Sequence, residues 1–285
     1  MSPLRYVSFL HWVGMTKTTH ASRAFDAETY REIDRIMAGL ISERKAPGLA
    51  YGIFDHAGLI HAGGMGVRSV ATGPDASDAQ MPRANTQFRI ASMSKSFAAA
   101  AVMKLVWQGK VDLHAPASYY VPQLNGLTPF GNDAMPITVH HLLAMSSGLA
   151  TDDAWADRQE SSTRAQVQAL LAQHLHANFA PGERYEYSNV GWAAIGELIH
   201  NVTGMCCADY VRRAFFAPLG LDDTTYDWHD MDPARTAMGH SLAEDGSWQT
   251  DLWADPGAFS VIGGVISTVT DMARWCAWLA DAFPA

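Results

Sequence analysis

The spacing of apolar and polar positions predicts a helix near the start of the chain. Between residues 26 and 44 the apolar side chains fall three or four positions apart, at Tyr30, Ile33, Ile36, Met37, Leu40 and Ile41. This is the spacing of one face of an α-helix. Asp26 precedes that face, and its carboxylate can accept hydrogen bonds from the unpaired N–H groups of a first helical turn. We therefore expect an amphipathic helix capped by Asp26.

Two β-prone runs follow this helix. GLAYGIFD and LIHAGGMGV are separated by His56, Ala57 and Gly58, a pattern that predicts an antiparallel hairpin. The glycine run GGMG, residues 63 to 66, is not followed by a helical pattern, so it is not a dinucleotide-binding loop. We expect these glycines to let a strand bend.

The remainder of the chain predicts mainly helices. The segment SKSFAAAAVMKLVWQG is rich in alanine and straight-chain residues and ends at Gly109, which favours a helix. Further helices are expected at about 138 to 146, 163 to 177, 189 to 203, 207 to 216 and 270 to 282. In the last one, Thr268 and Asp271 resemble a capping box. The segment GAFSVIGGVIS precedes that helix, an order that suggests a small sheet interrupted by a helical insertion.

Composition narrows the classes of partner. The chain has 285 residues and a formal net charge of −9, which argues against a broad basic surface for nucleic acid or anionic lipid and favours a small-molecule partner. No run of about 18 apolar residues occurs, so we expect no membrane span. The three cysteines, Cys206, Cys207 and Cys276, form neither a disulfide framework nor a metal-binding pattern.

The first residues form a separate region. MSPLRYVSFLHWVG contains a short apolar run that is broken by His11 and is not followed by a small-residue cleavage site, so it does not fit a secretory signal peptide. We interpret residues 1 to 24 as a disordered N-terminal extension, with Met15 as an alternative start. A cytoplasmic location is expected rather than export.

Ser92 and Lys95 are the first candidate catalytic residues. They lie three positions apart at the start of the alanine-rich helix and so share one of its faces. A serine hydroxyl needs a base within hydrogen-bond reach, and a lysine can serve if burial lowers its pKa. The motif alone is weak evidence, because a capped helix start with a solvated lysine would look the same.

The segment ERYEYSNVGW supplies a second candidate group. Tyr187, Ser188 and Asn189 stand just before another predicted helix. A phenol held near an ammonium group is favoured as phenolate and can relay a proton. The asparagine amide can both donate to and accept from a substrate amide. Alone, this triplet also fits an ordinary helix start, with Ser188 or Asn189 as the cap.

Together the two motifs resemble those of a known group of serine hydrolases. These are the class C serine β-lactamases, penicillin-binding DD-peptidases, D-aminopeptidases and family VIII carboxylesterases. The resemblance covers about residues 28 to 285, with its segments in the order typical of the group: QFRIASMSKSF, GKVDLHAP, ITVHHLLAMSSGL, PGERYEYSNVGW and GGVISTVTDMARW. It implies that Ser92 is acylated, that Lys95 and Tyr187 transfer its proton, and that Asn189 contacts the acyl side of the substrate.

The resemblance also implies a fold and exposes a departure from the pattern. We expect an α/β plus all-α, β-lactamase/transpeptidase-like fold that lacks the C-terminal strands of its sheet. Members of the group carry a third motif, Lys or His followed by a small residue and Gly, on a strand after the last helix predicted here. The chain ends at Ala285 without that motif, so we expect a fragment or a truncated homologue, with weak activity because an oxyanion donor would be missing.

Several other patterns compete with this interpretation. Residues 144 to 148, AMSSG, imitate a nucleophile elbow around Ser146, but a helical run precedes them where the elbow needs a strand. His140, His141, His174 and His176 lack the spacing of a metal site, so no metal and no cofactor are expected. The acidic segment 151 to 159 is either a solvated loop or a wall of the substrate pocket that contributes Trp155.

These observations predict a serine hydrolase that forms an acyl-enzyme on a small-molecule ester, amide or lactam. The alternative is a truncated, non-catalytic binding or scaffold homologue of the same fold. The predicted organisation is an extension over residues 1 to 24, a helix and hairpin over 25 to 90, a mainly helical part over 91 to 255 that carries both motifs, and a return segment with a helix over 256 to 285. The oligomeric state is left open.

Overall fold

A computed structural model describes residues 25–70, 81–127, 130–131, 135–173 and 175–281. The predicted N-terminal extension, His174 and the last four residues lie outside these ranges. The division of the chain into four parts stays a prediction. No helix in the described ranges is long and apolar enough to cross a membrane.

The predicted first helix and hairpin are confirmed. Helix α1 spans Ala27–Ser42, and the Asp26 side chain accepts a hydrogen bond of 2.7 Å from the Thr29 N–H. Strands β1 (Gly48–Asp55) and β2 (Gly58–Gly66) pair antiparallel. Helix α1 packs against β2, with Ile33 and Met37 of its apolar face half-buried and Ile36 and Leu40 exposed.

The glycines of β2 serve close approach of the backbone, and the predicted strand bend at this run stays a prediction. The register of the hairpin shifts between Ile53 and Phe54, where Ile60 of β2 is the extra residue. At Gly64 a Cβ atom would lie 1.7 Å from the carbonyl oxygen of Pro82. A residue without a side chain is therefore required for the segment at Pro82 to cross the strand.

Helices form the middle of the molecule. They are α2 (Lys95–Trp107), α3 (Ala117–Tyr120), α4 (Val139–Leu143), α5 (Asp153–Ala156), α6 (Arg164–Leu171), α7 (Asn189–Thr203), α8 (Cys207–Val211) and α9 (Ala217–Leu219). A π-helical segment, Arg212–Phe216, joins the last two. Helices α4 and α6 are shorter than predicted, whereas the predicted helix over 207 to 216 is confirmed, since α8, the π-helical segment and α9 are continuous. Helix α4 ends early because Met145 has a φ of 52°, outside the right-handed helical region.

Helix α7 is the centre of the core. Most of its residues are buried, including Trp192, Ile195 and Leu198, as expected for a helix that is apolar on all sides. It packs against α2, α4 and α6 and against the 3₁₀ turn Ala258–Ile262. It ends at Gly204, whose φ of 74° gives a left-handed cap.

The return segment joins the helical part to the short strands. Strand β6 (Ile266–Ser267) pairs antiparallel with β3 (Phe88–Arg89), directly before the 3₁₀ turn that carries Ser92. Helix α10 (Val269–Ala280) then packs across β1 and β2. A further hairpin is formed by β4 (His240–Leu242) and β5 (Trp248–Thr250).

Only half of the expected capping box is present at α10. The Thr268 hydroxyl accepts from the Asp271 N–H at 3.1 Å. The Asp271 carboxylate instead accepts from the Asp223 N–H and the Thr224 hydroxyl. This carboxylate therefore links α10 to the segment before β4, which a local sequence motif does not reveal.

Candidate active site

Ser92 lies in a tight turn at the start of the alanine-rich helix. The turn is a 3₁₀ helix, Ala91–Ser94, that continues into α2 at Lys95. Ala91 has a φ of 46°, a conformation that costs free energy for any residue with a side chain. The Ser92 side chain is exposed. Its N–H belongs to a first helical turn, where such groups have no acceptor within the helix.

Ser92, Lys95 and Tyr187 form one hydrogen-bonded cluster. The Ser92 Oγ and Tyr187 Oη are 2.5 Å apart. Lys95 Nζ lies 3.0 Å from Ser92 Oγ and 2.7 Å from Tyr187 Oη. Its third contact is the carbonyl oxygen of Ile262 at 2.8 Å. The three residues that sequence reasoning selected as catalytic are therefore placed within hydrogen-bonding distance of each other.

Burial makes Lys95 a stronger candidate base than an ordinary lysine. Its side chain is 5% exposed. Burial lowers the pKa of Lys95 to about 8, although the field of the carboxylates of Asp153, Asp157, Asp152 and Glu160 acts in the opposite direction. A substantial fraction of the amine is therefore neutral near pH 8 and can accept a proton.

The proposed phenolate form of Tyr187 is not supported. Burial raises the pKa of the Tyr187 phenol, although its hydrogen bond with Ser92 acts in the opposite direction. The sequence shows that an ammonium group is near, which would lower the pKa of the phenol, but it does not show that the ring is removed from water. Tyr187 is therefore a neutral hydroxyl that can pass a proton between Ser92 and Lys95, because the hydroxyl both donates and accepts.

Asn189 is buried at the first position of α7, and its amide hydrogens are already used. Its Nδ2 donates to Asp152 Oδ1 at 3.1 Å and to Asp153 Oδ1 at 2.9 Å. A primary amide has two hydrogens on nitrogen, so both are taken by these carboxylates. The expected contact with a substrate acyl group thus stays a prediction, and it would have to use the Asn189 carbonyl oxygen as an acceptor.

Trp155 lies on the short helix α5. Its ring is 43% exposed and contacts the buried Phe259 ring edge-on, with centroids 5.9 Å apart. Phe259 belongs to the turn whose Ile262 carbonyl accepts from Lys95. The partly exposed ring is available for a ligand, and its role as a pocket wall stays a prediction.

Sequence reasoning missed the contribution of the return segment and of Glu160. Besides the Ile262 carbonyl, this region holds an ion pair between the half-exposed Arg89 and the buried Glu160. Burial raises the pKa of Glu160 despite the neighbouring guanidinium group. A Cβ atom at Gly263 would lie 2.7 Å from Glu160 Oε1. The GG pair inside an otherwise apolar run was the available signal for such a close approach.

The competing serine and the histidines take other positions. The segment around Ser146 follows helix α4 rather than a strand, as expected from the mismatch with a nucleophile elbow. The centroids of the His140 and His141 rings are 6.0 Å apart, and the rings meet edge-on at an interplanar angle of 61°. Across the described ranges, no group of three or more His, Cys, Asp or Glu residues is arranged to hold a metal ion.

Comparison with known proteins assigns the chain to a family. The Beta-lactamase family model matches residues 33–282, and the chain belongs to that family. Protein flp of Staphylococcus aureus (strain N315) is 25% identical over 257 residues, which are 87% of this chain and 48% of that protein. The chain thus spans about half the length of the curated relatives it matches.

Solved structures confirm the fold class. The octameric penicillin-binding protein homologue from Pyrococcus abyssi is 27% identical and superposes with a TM-score of 0.75, covering 90% of this chain and 57% of that one. The D-alanine carboxypeptidase AmpC from Burkholderia cenocepacia is 25% identical with a TM-score of 0.67, covering 88% and 64%. The predicted β-lactamase/transpeptidase-like fold is therefore correct, whereas the predicted lack of C-terminal strands stays a prediction.

Proposed function

We propose that this chain is a serine hydrolase that forms an acyl-enzyme at Ser92. The observation that carries the proposal is the contact of Ser92 Oγ with both Tyr187 Oη at 2.5 Å and Lys95 Nζ at 3.0 Å. A serine nucleophile requires a base within this range of distances. Membership of the Beta-lactamase family supports the same class of chemistry.

Acylation would begin with proton transfer from Ser92 to Lys95. In its charged form Lys95 donates to three oxygens, those of Ser92, Tyr187 and Ile262. The Ile262 carbonyl can only accept, so the neutral amine keeps one hydrogen there and turns its lone pair toward the two hydroxyls. The proton leaves Ser92 directly or through Tyr187, and Ser92 Oγ forms a bond to the substrate carbonyl carbon.

The leaving group and the attacking water need the same proton carriers. When the bond to the leaving oxygen or nitrogen breaks, Lys95, through Tyr187, returns the proton to that atom. In deacylation the pair takes a proton from water, and Ser92 regains it as the acid product leaves. The backbone N–H of Ser92 is one donor for the negative carbonyl oxygen of each tetrahedral intermediate.

An ester, an amide or a lactam is the proposed substrate class. The structural neighbour from Burkholderia cenocepacia is described as a D-alanine carboxypeptidase, and a homologue in Bacillus subtilis is named penicillin-binding protein 4*. These names support an acyl compound of small size. The exposed ring of Trp155 and the acceptor oxygen of Asn189 would contact its acyl side.

Covalent labelling tests this proposal directly. The purified protein is exposed to a fluorophosphonate and, separately, to a penicillin, and its intact mass is measured. We expect one adduct per chain with the fluorophosphonate, and hydrolysis of a short p-nitrophenyl ester that the adduct abolishes. Ser92→Ala should remove both, whereas Ser146→Ala should keep both, because Ser146 is outside the cluster.

Each outcome has a distinct meaning. Labelling that persists in Ser92→Ala would contradict the assignment of the nucleophile. A folded wild-type protein that neither reacts nor hydrolyses the ester would contradict the proposed function and favour a non-catalytic homologue. Reaction with penicillin, or its absence, then separates lactam from ester substrates.

A further inference from the structure

The carboxylate of Asp152 accepts hydrogen bonds from a helix other than its own. Asp152 occupies the residue before α5, where a side chain normally accepts from the N–H groups of its own helix. Its side chain makes no such bond. Instead, Oδ1 accepts from the Asn189 N–H at 2.8 Å and Oδ2 accepts from the Val190 N–H at 2.8 Å. Asp152 thus caps helix α7, more than thirty residues further along the chain.

This cap replaces a weak local one. The residue that precedes α7 is Ser188, and its hydroxyl lies 3.5 Å from the Gly191 N–H, at the outer limit of a hydrogen bond. A carboxylate at a helix N-terminus forms charge-assisted hydrogen bonds and complements the helix dipole. The main hydrogen-bonded cap of the α7 N-terminus is therefore Asp152.

The residue before Tyr187 is also bonded to the segment of residues 145 to 152, which contains Asp152. The Glu186 N–H donates to the Met145 carbonyl oxygen at 2.8 Å. In return, Glu186 Oε1 accepts from the Thr151 N–H at 3.1 Å. Tyr187 is thus flanked by Glu186 and by the first residues of α7, and both are bonded to residues 145 to 152. Its backbone is fixed by this segment rather than by α2, which carries its two catalytic partners.

We propose that Asp152 is a positioning residue that sets the distance of the Tyr187 hydroxyl from Ser92 and Lys95. This inference rests on the proposed function, because it concerns the same acylation reaction. Asp152 acts through the α7 N-terminus and contacts none of the reacting atoms. Loss of the cap lets the α7 N-terminus and Tyr187 shift, and a displacement of about 1 Å can lower a rate about 10²-fold.

The charge of Asp152 has a second effect that the experiment must separate. Its field raises the pKa of Lys95, as do the fields of Asp153 and Asp157. Removing any of these negative charges lowers the pKa of Lys95, and therefore lowers the pH above which the acylation rate is constant. Above that pH, Lys95 is neutral in every variant, so the plateau rate no longer depends on its protonation and reports positioning together with the smaller effect of its basicity.

The experiment compares plateau rates of fluorophosphonate acylation in five proteins. They are the wild type, Asp152→Ala, Asp152→Asn, Tyr187→Phe and the double variant Asp152→Ala/Tyr187→Phe. We expect Asp152→Ala to lower the plateau by about 10- to 100-fold, and Asp152→Asn to lower it less, because its one remaining carbonyl oxygen can still accept. In the Tyr187→Phe background the loss of Asp152 should cost less than about threefold, since the residue acts through Tyr187.

Asp157→Asn is the matched control. Asp157 also contributes to the field at Lys95, but it makes no hydrogen bond to α7, so its removal should move the pH midpoint downward and lower the plateau by less than about threefold, through the basicity of Lys95 alone. Circular dichroism verifies that each variant is folded. If Asp152→Ala does not fold, Asp152→Asn replaces it in the comparison of plateau rates.

Two results would overturn the inference while leaving the proposed function intact. One is a plateau in both Asp152 variants equal to that of the wild type. The other is an equal loss with and without the Tyr187 hydroxyl, which would show a merely structural role. Absence of any Ser92 labelling in the wild type would instead reject the proposed function, and this inference with it.

Discussion

At Lys95, burial and neighbouring charge act in opposite directions. Burial removes water from the ammonium group and lowers its pKa, whereas four carboxylates attract the charged form. The result is a pKa of about 8, between the value of a free lysine and one that would leave the amine fully neutral at neutral pH. Such an intermediate value suits a base that must also return its proton.

The pH dependence of acylation follows from this pKa. Lys95 must be neutral to accept the Ser92 proton, so kcat/KM for a neutral ester should rise with pH and level off above a midpoint near 8. A stopped-flow series with p-nitrophenyl acetate between pH 6 and pH 10 measures it, after subtraction of spontaneous hydrolysis. A rate that falls through this range would contradict Lys95 as the base.

At the scale of secondary-structure elements, the sequence predicted correctly the helix bounds that follow from the local spacing of apolar residues. The bounds of α7 were predicted correctly because its apolar run ends at a glycine cap, Gly204. Helices α4 and α6 were predicted too long, because tertiary contacts rather than propensity decide where a short helix stops. The close approach at the β2 glycines was not predicted, because the segment at Pro82 that crosses Gly64 is distant in sequence.

The close approach of Pro82 to Gly64 predicts how alanine at this position changes the free energy of unfolding, and Gly39 offers a control. Gly64→Ala places a Cβ atom against the Pro82 carbonyl and should lower the free energy of unfolding by at least about 2 kcal/mol. Gly39→Ala lies inside helix α1, where a Cβ atom would meet nothing within 4 Å, and should raise it by about 0.5–1 kcal/mol. Urea unfolding measures both, and equal effects of the two substitutions would contradict this account.

At the scale of the whole molecule, aromatic rings connect helix α2 to helix α10. The Phe97 ring of α2 stacks on the Trp275 ring of α10 with centroids 4.2 Å apart. It also meets the Phe216 ring edge-on at 5.1 Å. The Trp275 indole N–H donates to the Ser96 hydroxyl at 3.0 Å. This cluster supports α2 just behind Ser92 and Lys95.

Truncation of Trp275 should therefore weaken the whole fold. The ring is 1% exposed, and Trp275→Ala should lower the free energy of unfolding by about 3–5 kcal/mol. Trp107→Ala is the matched control: the Trp107 ring, on α2, is 52% exposed, so this substitution should lower the free energy of unfolding much less. Equal unfolding midpoints in urea for the two variants would refute the central role of the aromatic cluster.

The candidate site was predictable only where residues lie in a motif. Ser92, Lys95 and Tyr187 were selected from two short patterns and a resemblance, and the structure brings them together. Asp152 and the Ile262 carbonyl were not selected, because an acidic loop residue and a backbone oxygen carry no local signature. The donors of Asn189 were assigned to a substrate because sequence alone does not show the carboxylates that bind them.

Two of the three contacts of the Lys95 ammonium group join segments that are far apart in the chain. The partners Tyr187 and Ile262 are separated from Lys95 by 92 and 167 residues. Contacts of such long range form slowly, since each requires closure of a large loop. A nascent or partly folded chain, however helical, lacks these two contacts. The proposed nucleophile would therefore be activated only in molecules that have completed their tertiary structure.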